Sequence, residues 1–378
     1  MLKISEINTK KQFYEMRNRW NQTLNNSKDN NIFLTWEKMA PSVNQLGKDS
    51  TIKILCATDG VELVGIAPLR KTHKNLRGNS GYSFIEPLTN GDTDYAGLIL
   101  VKQEVNCIRQ FLQYLYSQKD WDFMVFPDLP QASQTLELLK HTFSGLPRFE
   151  VEKGIICPYI EIPNSKERLL ANLSVKHRKN LQRRLRKLEK EHGKVELKQY
   201  YELGSLEQTM EILFELHQKR WILKNKPGRF DNQKARDISL QTAKYFAEKG
   251  WLRFYFLTVN NRPVAAELNL EYLGKMYGHL SCFDPDYSNY SVGHLLALKV
   301  LEQCIEKGIS EYDFMQGDEP YKFDWTNKYR QSMNIFCVNK KLSSMMICFG
   351  LKASNLTSIG LKVLKTCKNK VLNNMKYA

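Results

Sequence analysis

No stretch of this chain strings together eighteen apolar residues, and its opening, Met1-Leu2-Lys3-Ile4-Ser5-Glu6, lacks a hydrophobic signal core. Neither a membrane-spanning helix nor export is expected, and a cytosolic protein is. There is no C-x-x-C pair and no Cys/His ligand spacing. The eight cysteines (56, 107, 157, 282, 304, 337, 348 and 367) are scattered, several among apolar neighbours. That pattern predicts buried reduced thiols and no metal centre. Acidic residues are absent from Lys340 to Ala378, which holds eight lysines, and scarce in Lys176–Lys194, with nine Lys/Arg against two Glu. These two stretches supply all but one unit of the net charge of +16. The basicity is therefore local, which argues against a domain that wraps nucleic acid and favours anionic partners at two surfaces.

What is present suits a packed globular protein: 378 residues, 42% hydrophobic and 11% aromatic, enough for two domains. The most informative stretch is Trp251–Trp325. Trp251–Val259, Pro263–Tyr272, Lys275–Phe283 and Ser310–Met315 read as strands, the first two joined through the turn formers Asn260-Asn261-Arg262. A polar loop, Phe283–Ser291, leads to a helix over Val292–Lys307 whose apolar stripe includes Leu295, Leu296, Val300 and Leu301, with Gly308 as its stop. A strand that passes through a loop to a helix aims free N–H groups and the positive end of the helix dipole at one spot. Phosphate is the usual occupant. Gly293 lets such a group approach the backbone. An ordinary helix cap would look the same.

These residues also resemble a family. Phe283-Asp284-Pro285, Ser291-Val292-Gly293-His294, Tyr312-Asp313-Phe314 and Gly317-Asp318-Glu319-Pro320-Tyr321-Lys322-Phe323-Asp324-Trp325 are similar to the CelD/BioF-like acyltransferases of the GNAT superfamily, distant relatives of the FemAB peptidyltransferases. Leu216-His217-Gln218-Lys219-Arg220-Trp221, Val264-Ala265-Ala266 and Ser174 to Leu188 also fit, as do Trp36-Glu37, Pro68-Leu69 and Asp94-Tyr95 in the first half. The resemblance spans roughly residues 10–340 and implies an acyl-CoA donor and a nucleophilic acceptor.

The first half repeats the element order of the second. Helices are expected over 9–24 and 35–46, a hairpin over Thr51–Arg70 with an Asp59-Gly60 turn, a strand over Tyr95–Val101, a helix over Glu104–Gln118 and a strand over Trp121–Phe126. The expected fold is thus α/β (α+β): tandem GNAT-like folds with mixed central sheets flanked by helices, divided into residues 1–158, 159–340 and a basic amphipathic tail, 341–378. In the first copy, Val101-Lys102-Gln103 joins strand to helix with no glycine, so that copy is expected to hold no cofactor and to wall the acceptor site. Residues 127–165 read as irregular, since prolines stand at 127, 130, 147, 158 and 163. Ser174 opens a basic helix that runs to His192-Gly193. It reads either as a solvated surface or as a dock for an anionic acceptor such as a nucleotide-sugar, a glycan or tRNA.

Acyl transfer from a thioester requires the donor phosphates held, the carbonyl polarised, the acceptor deprotonated and the thiolate protonated. The N–H groups of Ser291, Val292, Gly293 and His294 are the candidates for the pyrophosphate of acyl-CoA. The resemblance to GNAT enzymes implies that Lys275–Phe283 splays from its neighbour and offers an N–H to the thioester oxygen. Glu267, His279 and Asp313 are the candidate bases, and Tyr312 or Tyr321 would protonate the thiolate. His217, Arg220, Trp221 and Lys322 are candidates for the acceptor, a small molecule or glycan, although His217 also reads as a core histidine. Three functions stay open: an acyl-CoA-dependent transferase acting on a cell-surface polysaccharide or envelope precursor; a FemAB-like transferase using aminoacyl-tRNA; and a non-catalytic module on an anionic membrane face. A peripheral position on the inner membrane face through the tail is compatible with each.

Overall fold

A computed structural model of the chain describes residues 2–75, 81–89, 93–144, 148–202, 204–223 and 225–353. It forms two units, Met1–Ile156 with Arg330 onward, and Cys157–Tyr329. The chain crosses between them near 156 and again near 330, where the strand that starts at Tyr329 pairs with Phe123–Pro130 and so returns to the first unit.

The first unit contains, in chain order, β1 (Lys3–Ile7), α1 (Lys10–Glu15), α2 (Arg17–Asn25), α3 (Trp36–Asn44), β2 (Ser50–Ile52), β3 (Ile54–Asp59), β4 (Glu62–Ala67), β5 (Leu69–Asn75), β6 (Gly81–Pro87), β7 (Ile99–Leu100), α4 (Glu104–Gln118), β8 (Phe123–Pro130) and α5 (Gln134–Phe143). β9 (Phe149–Glu161) then leads into the second unit. The segment 127–165, expected to be irregular, holds α5 and β9: Ser133 caps α5 by accepting from the Leu136 amide, 3.2 Å. Pro127 and Pro130 lie within β8 and Pro158 within β9 without interrupting these strands. The expected helix over 9–24 breaks at Met16, and the strand at Tyr95–Val101 shrinks to two residues. Strands β1-β3-β4-β7 form one sheet; β8-β6-β5-β2 run in the other.

The second unit continues with α6 (Lys166–Asn172), α7 (Val175–His192), β10 (Val195–Gln199), α8 (Leu206–Ile222), α9 (Gln233–Glu248), β11 (Leu252–Val259), β12 (Arg262–Tyr272), β13 (Lys275–Phe283), α10 (Val292–Glu306), β14 (Glu311–Asp313) and α11 (Pro320–Phe323). Its sheet runs β10-β11-β12-β13-β14-β9. Asn260 and Asn261 both take positive φ, 47° and 67°, which closes the β11–β12 hairpin on two residues. Alternation along β11 sorts its side chains. Tyr255, Leu257 and Val259 join Leu295, Leu296, Val300 and Leu301 of α10 and Leu181 and Leu188 of α7 in one core. The basic helix α7 thus rests on a narrow leucine edge.

The chain then returns through β15 (Tyr329–Val338) and α12 (Leu342–Ala353). The first part of the basic tail folds as α12, which runs continuously through Gly350. Met345, Ile347 and Cys348 pack against Tyr82, Phe84, Phe123 and Phe336 of the first unit, while Leu342 and Met346 are exposed. The rest of the expected basic amphipathic tail, 354–378, lies outside the described residues. Cys56, Cys107, Cys157, Cys282, Cys304 and Cys337 are buried free thiols.

Candidate active site

The site begins where two parallel strands part. β13 pairs with β14 only over Lys275–Tyr277 and Glu311–Asp313, whereas β12 keeps its pairing with β13 as far as Phe283. Because β14 ends at Asp313, β13 has no ladder partner on that side from Gly278 onward among the described residues, and this unpaired edge is the wedge of the site. A bulge sits at its apex: Leu268 faces Leu280 and Asn269 faces Gly278, so His279 is the extra residue. His279 is half-buried there.

Glu267 and Asn269 stand on β12 beside this wedge. Both are buried, Glu267 at 5% exposure. The Glu267 carboxylate accepts from the Asn269 amide at 3.3 Å and from the Tyr312 hydroxyl at 3.2 Å; that hydroxyl also lies 3.2 Å from the Asn269 oxygen. No cation neutralises it among these partners. Burial raises its pKa from 4.5 to about 7, and the two hydrogen bonds only partly oppose that. Tyr312 is pushed far above the ordinary phenol range by burial and by Glu267, so it keeps its proton and donates it to this network. Gly278 makes the contact feasible, because a Cβ there would collide with the Tyr312 hydroxyl.

Tyr321 lies at the start of α11. Burial raises its hydroxyl, and the nearby charges of Glu319 and Glu267 add to the shift, with Arg220 acting the other way. Arg220, from α8, is partly desolvated, close enough to feel Tyr321, Cys282 and Glu319, and its guanidinium lies over the Phe283 ring at 5.1 Å. Glu267, Tyr321 and Arg220 therefore share one locality, although 220 and 321 are far apart in the chain.

Four candidates hold other posts. Lys322 is buried and gives its ammonium to the carbonyls of Met315 (3.1 Å) and Gln316 (2.8 Å) and to Glu319 (2.9 Å). Its three donors are spent on the turn, which leaves none for an anionic substrate. Asp313 accepts from the Met315 amide at 2.8 Å and so fixes the entry to the same turn, where Met315 has φ 64°. His217 and Trp221 form a core pair: the indole N–H donates to His217 Nε2 at 3.0 Å, and the imidazole packs on Phe230 with centroids 4.7 Å apart. Burial lowers the His217 pKa to about 4, so the ring is neutral. The Leu216–Trp221 segment thus sends Arg220 to the site and keeps its two flanking aromatics in the core, because positions 217 and 221 are one helical turn apart and share a face.

The start of α10 carries no side-chain cap and no acidic residue in its first turn. Ser291 stands in the left-handed region with φ 50°, and the His294 amide turns back to the Ser291 carbonyl at 2.9 Å. A Cβ on Gly293 would meet only Phe283, at 3.7 Å, so the corner is open on that side. Val292 is buried, and the Ser291 amide donates to the Ser288 carbonyl at 3.0 Å, so of the four amides expected to hold a pyrophosphate those of Ser291 and His294 are already engaged within the backbone. Asp284, just ahead, is held by Lys219 (2.8 Å) and Arg262 (3.3 Å).

The His294 ring points into a cluster that the sequence did not single out. Its centroid lies 5.2 Å from His177 on α7 and 6.0 Å from Trp325, with Tyr321 at 6.2 Å. Trp325 belongs to the Gly317–Trp325 motif and His177 to the Ser174–Leu188 segment, yet nothing in either spacing predicts their meeting.

Residues 175–323 match the acetyltransferase (GNAT) domain. No curated protein matches the chain by sequence. Among solved structures, FemX is 10% identical over 91% of this chain and 99% of that one, with a TM-score of 0.61. A conserved protein of unknown function from Bacteroides thetaiotaomicron is 11% identical over 90% and 100%, at 0.54. L-PGS from Bacillus licheniformis is 12% identical over 87% and 94%, at 0.52. At such identities the likeness concerns the fold. The unpaired edge of β13, the open start of α10 and the match over 175–323 agree: the second unit carries a GNAT acyltransferase fold.

Proposed function

We propose that the second unit moves an acyl group from acyl-CoA to an amine or hydroxyl, with Glu267 as general base. The observation that carries this is a buried carboxylate with no cationic partner, poised near pH 7 beside the wedge. The CoA pyrophosphate sits on the amides of Val292 and Gly293 at the positive end of α10, since those of Ser291 and His294 already donate to the Ser288 and Ser291 carbonyls. The thioester oxygen takes an N–H from the unpaired edge of β13, where His279 forms the bulge. The acceptor attacks the carbonyl carbon as Glu267 takes its proton. The carbon–sulfur bond breaks, and Tyr321 gives its proton to the departing thiolate. Arg220 orients an anionic part of the acceptor. The motif Gly317–Trp325 supports a CelD/BioF-like transferase acting on a cell-surface polysaccharide or envelope precursor at the cytoplasmic side.

Titration with CoA and acetyl-CoA, followed by melting temperature, tests the donor. A rise that saturates and is lost in Gly293→Asp, which puts bulk and negative charge among those amides, is expected. No rise with any CoA ester up to millimolar concentration overturns the reading.

One observation favours a second donor, aminoacyl-tRNA. Lys176, Lys179, Arg186 and Lys190 project from α7 with no acidic partner among the described residues. A tRNA gel shift that weakens steeply with salt and vanishes when Arg183, Arg184 and Arg186 become Glu, with no response to CoA, would replace the first reading by this one.

A further inference from the structure

Three side chains from three helices meet beside the start of α10. His177 lies in the first turn of α7, His294 in the first turn of α10, and Asp324 directly follows α11. One ligand-capable atom from each lies within 4.8 Å of the other two. His294 Nε2 is 3.8 Å from an Asp324 oxygen, too long for a hydrogen bond. His177 is 7% exposed, and its Nε2 has no hydrogen-bond partner; the buried His294 Nδ1 and Trp325 Nε1 also have none. A buried imidazole nitrogen without a partner costs about 1–3 kcal/mol. Two such nitrogens in one cluster, with a carboxylate at its exposed rim, ask for an occupant.

The geometry points to a divalent transition-metal site, of the class that Zn²⁺ fills, formed by His177, His294 and Asp324. Two neutral imidazoles and one carboxylate are the donor set that borderline ions such as Zn²⁺ prefer over Mg²⁺. At Zn–N distances of about 2.0–2.1 Å, tetrahedral ligand atoms stand about 3.3 Å apart. Small side-chain rotations would contract the present 4.8 Å span to that value. Both imidazoles are already held neutral, chiefly by burial, as metal ligation requires. Asp324 is half exposed, so the ion has an entry path and a fourth position open to water. Arg184 bears on both imidazoles and works against a cation, so affinity should be moderate. A bound ion would tie α7, α10 and α11 together at the corner where the α10 amides emerge, and it needs no acyl donor.

The test uses the full chain stripped with EDTA and titrated with ZnCl₂ or MgCl₂ against a chromophoric chelator, with CoCl₂ as a spectroscopic probe. The expected result is one Zn²⁺ per chain, little response to Mg²⁺, and a tetrahedral cobalt spectrum without a thiolate charge-transfer band. Asp324→Asn, which keeps shape at an exposed position, should weaken Zn²⁺ by at least about tenfold, and His177→Ala should weaken it further. If His177→Ala fails to fold, Asp324→Asn alone decides. Wild-type affinity in Asp324→Asn, a thiolate band, or Zn²⁺ binding well below one per chain overturns the site.

Discussion

The two units use the same parts differently. In the first, α4 begins after β7 through Val101-Lys102-Gln103, and Gln103 takes the left-handed conformation, φ 49°, as Ser291 does ahead of α10. Neither helix has a side-chain cap. Yet α4 carries Glu104 in its first turn, a negative charge that already answers the helix dipole, and α10 carries no acid there. The start of α5 is likewise filled, because Asp29 accepts from the Gln134 and Thr135 amides at 3.0 and 2.7 Å. Buried carboxylates are mostly paired in both units, Asp284 of the second with Lys219 and Arg262, and Glu267 is the exception. Glu37 is paired with Arg17 at 3.1 Å and Glu86 with Arg70 at 3.1 Å, whereas Glu267 has only neutral partners. The first unit spends its charges on its own stability. The second leaves a helix end and a carboxylate unspent, which is what a site needs.

The sharpest way to break this contrast is to remove the unspent carboxylate. Glu267→Gln keeps volume and hydrogen bonds, so the fold should survive while thiol release from acyl-CoA falls by about 10²–10⁴-fold. In the wild type kcat/KM should rise with pH through an inflection near 7, since Glu267 must lose its proton, and the variant should lack that limb. Retained activity and an unchanged profile would assign the base to another group.

Gly278→Ala attacks the same network indirectly. The new methyl group meets the Tyr312 hydroxyl and forces it from Glu267, so activity should drop by about 10–10²-fold. The inflection should also move upward, since the bond that holds the carboxylate ionised is lost. An unmoved inflection would mean that Tyr312 plays no part in tuning Glu267.

Acid sensitivity gives a smaller effect. His217 has its pKa lowered from 6.5 to about 4, so between those values the unfolded chain binds more protons. Its contribution to stability is present above pH 6.5 and disappears as pH falls toward 4, by at most on the order of 3 kcal/mol. Glu267, raised to about 7, acts oppositely and favours the fold as pH falls from 7 toward 4.5. Denaturant midpoints of His217→Gln and wild type, measured across pH 7 to 4, should therefore diverge, with the variant losing less. Parallel curves would show that the ring is not held neutral.

The mildest expected effect lies in the first unit. Asp29→Ala uncovers two amides of α5 and should cost about 1–2 kcal/mol, read as a lower melting temperature, with CoA binding unchanged. A change in CoA affinity would show that the first unit contributes to donor binding.

Much of the second unit is legible along the chain. β13 and α7 have their expected bounds, and α10 ends within a residue of them, because strand alternation, Ser174 as a cap and Gly308 as a stop are local signals. The same local reading misplaced 127–165, where Pro127, Pro130 and Pro158 sit inside strands β8 and β9 without breaking them. It also gave Lys322 and His217 to the substrate. A Lys in a polar motif and a His on a helix look alike whether they face a ligand or a carbonyl.

The sequence by itself determined where strands and helices lie, which helix starts without an acid and where the positive charge collects, since these depend on residues a few places apart. Only the tertiary structure decided what meets what. It set Glu267 under Tyr312, turned His217 inward and Arg220 toward Tyr321, and gathered His177, His294 and Asp324 although no spacing rule links them. Burial, which sets whether a carboxylate titrates near 4 or near 7, depends on every element packed around it, and no local pattern carries that information.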